Sequence, residues 1–95
     1  MKPELTSQQL VDRAQQAQRL LDDPTLQKAF EGVRMALVAR LEEISLEDHS
    51  LQHEIAVSLQ LLKQLQRQLH NWITDGQLEK AKAKQREGWF NRKVA

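Results

Sequence analysis

Two histidines, His49 and His53, stand four residues apart in the middle of the chain, with Asp48 and Glu54 beside them. Residues at this spacing share one face of a helix, where two imidazoles can hold a metal ion. The stretch HSLQH lacks the glutamate of the H-E-x-x-H motif, however, and no third ligand is evident in the sequence. We therefore expect two solvated histidines near a connection between helices, and no metal site.

Four carboxylates cluster between residues 42 and 48, and paired carboxylates can serve general acid–base catalysis. Such catalysis also needs a pocket that shifts a pKa, and nothing in this segment indicates one. The chain has no cysteine, which excludes a thiolate nucleophile, a disulfide and a Cys-type zinc site, and it has no glycine-rich phosphate loop. The sequence predicts a protein that is not an enzyme and that uses no cofactor.

The end of the chain concentrates aromatic and basic residues. Trp89 and Phe90 are two of only four aromatic residues, and they stand among Arg86, Arg92 and Lys93. Residues 75–95 carry six Lys/Arg and three Asp/Glu, a net charge of +3, whereas residues 1–74 carry eight and ten, a net charge of −2. A basic segment of this kind is often an interaction arm.

Four roles are open for this segment. It could insert its two rings into a pocket of a partner protein, since Trp and Arg are over-represented at interface hot spots. It could bind single-stranded nucleic acid, with cations on phosphates and rings stacked on bases. The rings could instead fold back on the protein itself, or the segment could be a solvated end. We favour the protein anchor, because dedicated nucleic-acid modules are more basic.

The elements that must position these residues are all predicted to be helices, because no run alternates with period two and good helix formers fill most of the chain. Thr6 and Gln9 form a capping box, so the first helix should start near Thr6. Asp23 and Pro24 end that helix and cap the second one. The first helix carries a narrow apolar stripe that contains two alanines and can lie close to a neighbour. That stripe consists of Leu10, Ala14, Ala17 and Leu21.

The third helix is predicted to be capped by Ser45, to run to about Thr74 and to end at Gly76, the expected left-handed C′ glycine. Its apolar residues follow a coiled-coil-like spacing of fours and threes. This seam consists of Leu51, Ile55, Leu62, Leu65, Leu69 and Trp72, with Ser58 in the remaining slot.

The sequence therefore predicts an all-α fold, a long antiparallel helical hairpin of residues 24–44 against 46–74 with a shorter N-terminal helix. Residues 1–76 would form the hairpin domain, and residues 77–95 an extended or frayed basic tail that leaves the hairpin at Gly88 on a flexible stem. Several apolar residues lie off the main seam, which indicates self-association or docking on a partner. They are Leu46, Val57, Leu59, Leu61 and Ile73, of which we assign Leu59 and Ile73 to partner binding along with the aromatic end.

No apolar run approaches the length of a membrane span, and the N-terminus lacks the apolar core of a signal peptide, so we expect no membrane association. The stretch from Leu21-Asp22-Asp23-Pro24 through a leucine-rich second half to Asp75-Gly76 resembles small helical proteins encoded by tailed bacteriophages. The resemblance covers residues 15–84. It implies no enzyme activity and transfers no functional residues. Some proteins of this group are virion parts, so we expect a virion or virion-assembly role, with the host cytoplasm as the site of synthesis and the virion as a further location.

We thus expect a non-enzymatic assembly or adaptor protein that binds copies of itself, a larger phage structural protein, or both. Two alternatives remain: an accessory protein that binds nucleic acid through the basic tail, and a phage-encoded inhibitor of a host protein.

Overall fold

A computed structural model describes residues 4–94, and for residues 90–94 it describes the backbone only. Within this range the chain forms three α-helices and no strand, which confirms the predicted all-α class. Helix α1 spans Ser7–Asp22, α2 spans Pro24–Glu43 and α3 spans His49–Val94.

Both predicted helix caps at the start of the chain are confirmed. The Thr6 N–H donates to Gln9 Oε1 over 2.9 Å, and the Gln9 N–H donates to Thr6 Oγ1 over 3.2 Å, so the capping box closes reciprocally. The Thr25 N–H donates to Asp23 Oδ1 over 2.8 Å, and Asp23 has the extended backbone that an N-cap residue adopts. Pro24 then occupies the first helical position, and a single residue separates α1 from α2.

The predicted start of the third helix is wrong by three residues. The helix begins at His49, and its N-cap is Asp48, whose Oδ1 accepts from the Leu51 N–H over 3.1 Å. Ser45 lies in the preceding turn, where its carbonyl accepts from the Asp48 N–H over 3.0 Å and its hydroxyl accepts from the Glu47 N–H. Gln52 reinforces this turn, because its side-chain amide donates to the carbonyl of Ser45.

The predicted end of that helix at Thr74 is also wrong, and the segment predicted to be an extended or frayed basic tail is helical. Helix α3 continues through Gly76 and Gly88 to Val94, and among the described residues no φ is positive. Gly76 therefore does not act as a left-handed cap. The residues after it, QLEKAKAKQRE, are good helix formers, and one interior glycine costs only about 1 kcal/mol against alanine. The helix continues because nothing in this segment stops it.

The chain divides into two compact units, each built on a part of α3. One unit combines the chain up to Arg19 with the chain from Leu69 onward, and the other comprises Leu20–Gln68. The domain boundary predicted at residue 76 thus falls inside the first unit. Within the described residues, each unit has a small apolar core, as the chain length implies. The buried side chains are Ala14, Ala17 and Leu69 in the first unit and Phe30 and Ile55 in the second.

Candidate functional site

The residues that could carry out catalysis or bind a metal lie on the surface of the described chain. His49 and His53 are exposed, as are the four carboxylates between residues 42 and 48. No group of three potential metal ligands occurs in the part of the chain that the structure describes. None of the helices, over the same residues, is long and apolar enough to cross a membrane. The described helices instead have some faces that pack on another helix and other faces that are exposed.

Helix α1 packs antiparallel on the second half of α3. Ser7 at the start of α1 donates a hydrogen bond to Glu79, and Arg13, nearly two turns later, lies near Asp75. Gly76 is buried at this contact, and a Cβ built on it would collide with the Cβ of Ala14 and come within 3.2 Å of the carbonyl oxygen of Leu10. The small residues of α1 thus bring the two helices close together, as their spacing predicts.

A stacked arginine fixes the register of this packing. The guanidinium of Arg13 lies 4.8 Å from the ring centroid of Trp72, a cation–π distance, and its Nη2 lies 3.6 Å from Asp75 Oδ2. Arg13 is partly covered, whereas the Asp75 carboxylate is half exposed, so the stacked ring contributes more than the screened ion pair. Trp72, which was predicted to lie in the hairpin seam, therefore belongs to the packing of α1 on α3.

The last turns of α3 continue past the start of α1 and present an exposed surface, which we name the C-terminal face. It comprises Leu78, Lys82, Arg86 and Trp89, whose spacing of four, four and three places them on one side of the helix. Leu78 is 55% exposed and Trp89 is 61% exposed, and both basic residues are exposed as well. Shallow depressions flank the indole of Trp89; Lys82, Gln85 and Arg86 line one of them.

The residues predicted to bind a partner fall into three groups. Trp89 and Arg86 lie on the exposed C-terminal face, on a continuous helix and not on a flexible stem. Leu59 and Ile73 are half-buried, so each offers only part of its side chain to a partner. The side chains of Phe90, Arg92 and Lys93 lie outside the part of the chain that the structure describes.

A second exposed apolar surface runs along the first half of α3, and we name it the central stripe. It consists of Val57, Leu61 and Leu65, each four residues after the last; Leu61 is 60% exposed and Leu65 is 53% exposed. Leu65 was predicted to lie in the seam, and that assignment is wrong. The buried seam passes through Ile55, which is 3% exposed, and through the half-buried Leu62. The exposure of Val57 and Leu61 confirms that they lie off the seam.

Helix α2 is also largely uncovered. Its one buried residue among those described is Phe30, while four large apolar side chains of the same helix are exposed. These are Val33, Met35, Val38 and Leu41. Met35 and Val38 line a shallow depression together with Arg34, Ala39 and Glu42. Leu46, in the connection that follows, is the most exposed large apolar residue of the described chain.

Twelve large apolar side chains are exposed among the residues that the structure describes. They include the central stripe, the four side chains of α2, and Leu78 and Trp89 of the C-terminal face.

Comparison with known proteins gave no match: no family model, no curated protein and no solved structure is significantly similar to this chain.

Proposed function

We propose that this protein is a non-enzymatic helical assembly protein that works as an oligomer and docks on a larger protein. The observation that carries the proposal is the exposure of twelve large apolar side chains among the described residues, several of them neighbours on one side of a helix. Exposed apolar surface of this kind marks protein–protein or membrane contact sites, and we propose a protein partner.

On this proposal α2 and the first half of α3 form a helical hairpin. Helix α2 and the first half of α3 belong to one compact unit, and residues 44–48 join them. A connection this short favours antiparallel neighbours. Two antiparallel helices bury one seam between them and leave their remaining faces open, which fits the single well-buried residue on each helix in this unit, Phe30 and Ile55.

The C-terminal face is the surface on which a larger protein docks. Leu78 and Trp89 supply apolar area, and Lys82 and Arg86 supply a basic rim between them. Such a combination of an indole with arginine is typical of interface hot spots. On this proposal Trp89 enters a pocket of the partner, and the basic residues steer the encounter.

The resemblance to small helical phage proteins gives this function a setting. We propose a virion or virion-assembly component that is synthesised in the host cytoplasm. The proposal requires no catalytic residue and no cofactor.

Self-association is the part of the proposal that can be tested on the purified chain. An oligomer whose subunits stabilise one another unfolds at a temperature that rises with protein concentration. We expect the midpoint of thermal unfolding, followed by far-UV circular dichroism, to rise by several degrees over a hundredfold range of concentration. A midpoint that stays constant over this range would contradict self-association.

A second function, binding of single-stranded nucleic acid, is favoured by one specific observation. Lys82 and Arg86 are exposed beside the exposed indole of Trp89, and this is the combination that follows a phosphate backbone and stacks on bases. Fluorescence anisotropy with a labelled single-stranded oligonucleotide tests it. If nucleic acid is the ligand, affinity falls steeply with salt, and Trp89→Ala weakens binding at every salt concentration. If a protein is the ligand, binding to the oligonucleotide is weak and insensitive to Trp89.

A further inference from the structure

The central stripe is unusual on this chain because it is long, apolar and free of charge. Between Val57 and Leu65 the polar residues nearest to this side of α3 are Ser58 and Gln64, and Glu54 and Gln68 lie about one turn beyond its two ends. An exposed helix surface is ordinarily rich in charged residues, whereas neutral Gln beside Leu and Val is compatible with burial against another helix. The composition of this face is that of an interface.

The stripe gives α3 a second apolar side. The buried side centres on Ile55 and Leu62, and at 100° per residue the stripe centred on Leu61 lies roughly a quarter turn away. A helix with one neighbour needs one apolar side, and a helix in a bundle of four needs two adjacent ones. Apart from the last residues of α1, the unit that contains this part of α3 supplies α2 as the neighbouring helix. Within the described part of that unit, the side of α3 that carries the central stripe is not covered by a second helix.

We propose that a second copy of this chain covers that side, with the two α3 helices antiparallel and crossing at Leu61. In this arrangement Leu61 contacts Leu61 of the second copy, and Val57 contacts Leu65 in both directions. The interface is self-complementary, as two-fold symmetry requires. The inference rests on the proposed function, and it adds the surface, the partner and the direction of packing.

The distribution of charge along α3 favours antiparallel over parallel packing of the two copies. Residues 41–62 carry five acidic residues and no Lys or Arg, and the next charged residues are Lys63 and Arg67. Parallel packing would set Glu54 against Glu54 and the acidic connection against its copy, and like charges in contact disfavour a complex. Antiparallel packing about Leu61 places Glu54 opposite Gln68, next to Arg67. Opposite charges then flank both ends of the stripe.

Single cysteines test the arrangement directly, because the chain has none of its own. Facing residues of two packed helices come within the Cα separation of about 4.4–6.8 Å that a disulfide needs. On mild oxidation of the full-length protein, Leu61→Cys should form a covalent dimer with itself. Val57→Cys and Leu65→Cys should crosslink efficiently only when the two variants are mixed. Gln60→Cys, exposed on another side of the same helix, is the matched control and should remain monomeric on a denaturing gel.

The pattern of crosslinking distinguishes antiparallel packing, parallel packing and random collision. Efficient self-crosslinking of Val57→Cys and of Leu65→Cys would replace the antiparallel arrangement by a parallel one. Equal crosslinking of Gln60→Cys would mean random collision and would overturn the interface. In a companion measurement Leu61→Glu should lower the native mass to 11.0 kDa with helicity retained, whereas Met35→Glu on α2 should not.

An oligomer that persists in Leu61→Glu would overturn the central stripe and leave the proposed function standing. A wild-type chain that is monomeric would overturn both.

Discussion

Replacing Gly76 with alanine tests how α1 packs on α3. A Cβ at this position would collide with the Cβ of Ala14 and lie 3.2 Å from the carbonyl oxygen of Leu10. Neither of those atoms can rotate away, since one is attached directly to the backbone and the other belongs to it. The substitution therefore has to displace α1 from α3.

The magnitude follows from two opposing terms. Alanine is favoured over glycine in a helix interior by about 1 kcal/mol, and Gly76 is helical. Overpacking of a close contact costs about 1–3 kcal/mol. The net effect of Gly76→Ala on the free energy of unfolding is thus a loss of about 0–2 kcal/mol, where propensity alone predicts a gain of about 1 kcal/mol.

The chain contains its own control. Gly32 is also helical, and a Cβ built on it has no neighbour within 4 Å, so Gly32→Ala should gain the full propensity term of about 1 kcal/mol. Urea unfolding followed by circular dichroism, at one fixed protein concentration, measures both variants. The difference between Gly32→Ala and Gly76→Ala isolates the overpacking term, which we expect to be about 1–3 kcal/mol.

A second substitution distinguishes a packing glycine from a capping glycine. Ala14→Gly removes the atom with which the new Cβ collides, so it should cost less in the Gly76→Ala background than in the wild type, with a coupling of about 1 kcal/mol or more. A glycine that is needed for a left-handed conformation would show no such coupling, because Ala14 has no part in it. Equal gains from Gly76→Ala and Gly32→Ala would refute the close packing of α1 on α3.

Two further pairs of substitutions test the local structure. Asp48→Ala removes the N-cap of α3 and should lower the free energy of unfolding by about 1 kcal/mol. Ser45→Ala, in the preceding turn, should lower it by less. A larger loss for Ser45→Ala than for Asp48→Ala would mean that Ser45 is the cap. Arg13→Ala removes the cation–π contact with Trp72 and should lower stability by about 1 kcal/mol, while Asp75→Asn should change it by less than about 0.5 kcal/mol because that ion pair is half exposed. Thermal unfolding by circular dichroism measures all four, and an Asp75→Asn cost equal to that of Arg13→Ala would mean that the ion pair dominates.

The features that the sequence predicts correctly are local ones. The caps at Thr6 and Asp23 involve residues at most three positions apart, so the pattern contains all the information that the structure uses. The connection before α3 contains two competent caps, Ser45 and Asp48, and their order of preference depends on turn geometry that the pattern does not specify.

Gly76 shows where sequence reasoning fails. A glycine at a helix end and a glycine at a helix crossing both lack a Cβ, and they differ only in what lies opposite. What lies opposite Gly76 is α1, which is distant in the sequence. The alanines of α1 were a usable signal, because a narrow stripe of small residues requires an equally small surface on its partner.

The same limitation applies to the candidate site. Leu65 fits the heptad slot of the buried seam, yet its spacing of four from Leu61 places it equally well in the central stripe. Only the burial of side chains in the folded unit distinguishes the buried seam from the central stripe. The position of Trp89 and Arg86 on one face of α3 was not predicted, because Gly76 was expected to end the third helix and Gly88 to provide a flexible stem, whereas the helix continues past both glycines.

Sedimentation equilibrium of the purified full-length chain tests the central claim, self-association, most directly. We predict a mass of twice 11.0 kDa at high concentration, falling toward 11.0 kDa on dilution, with Leu61→Glu shifted toward the single-chain mass at every concentration. A mass of 11.0 kDa for the wild-type protein at the highest concentration reached would contradict the account.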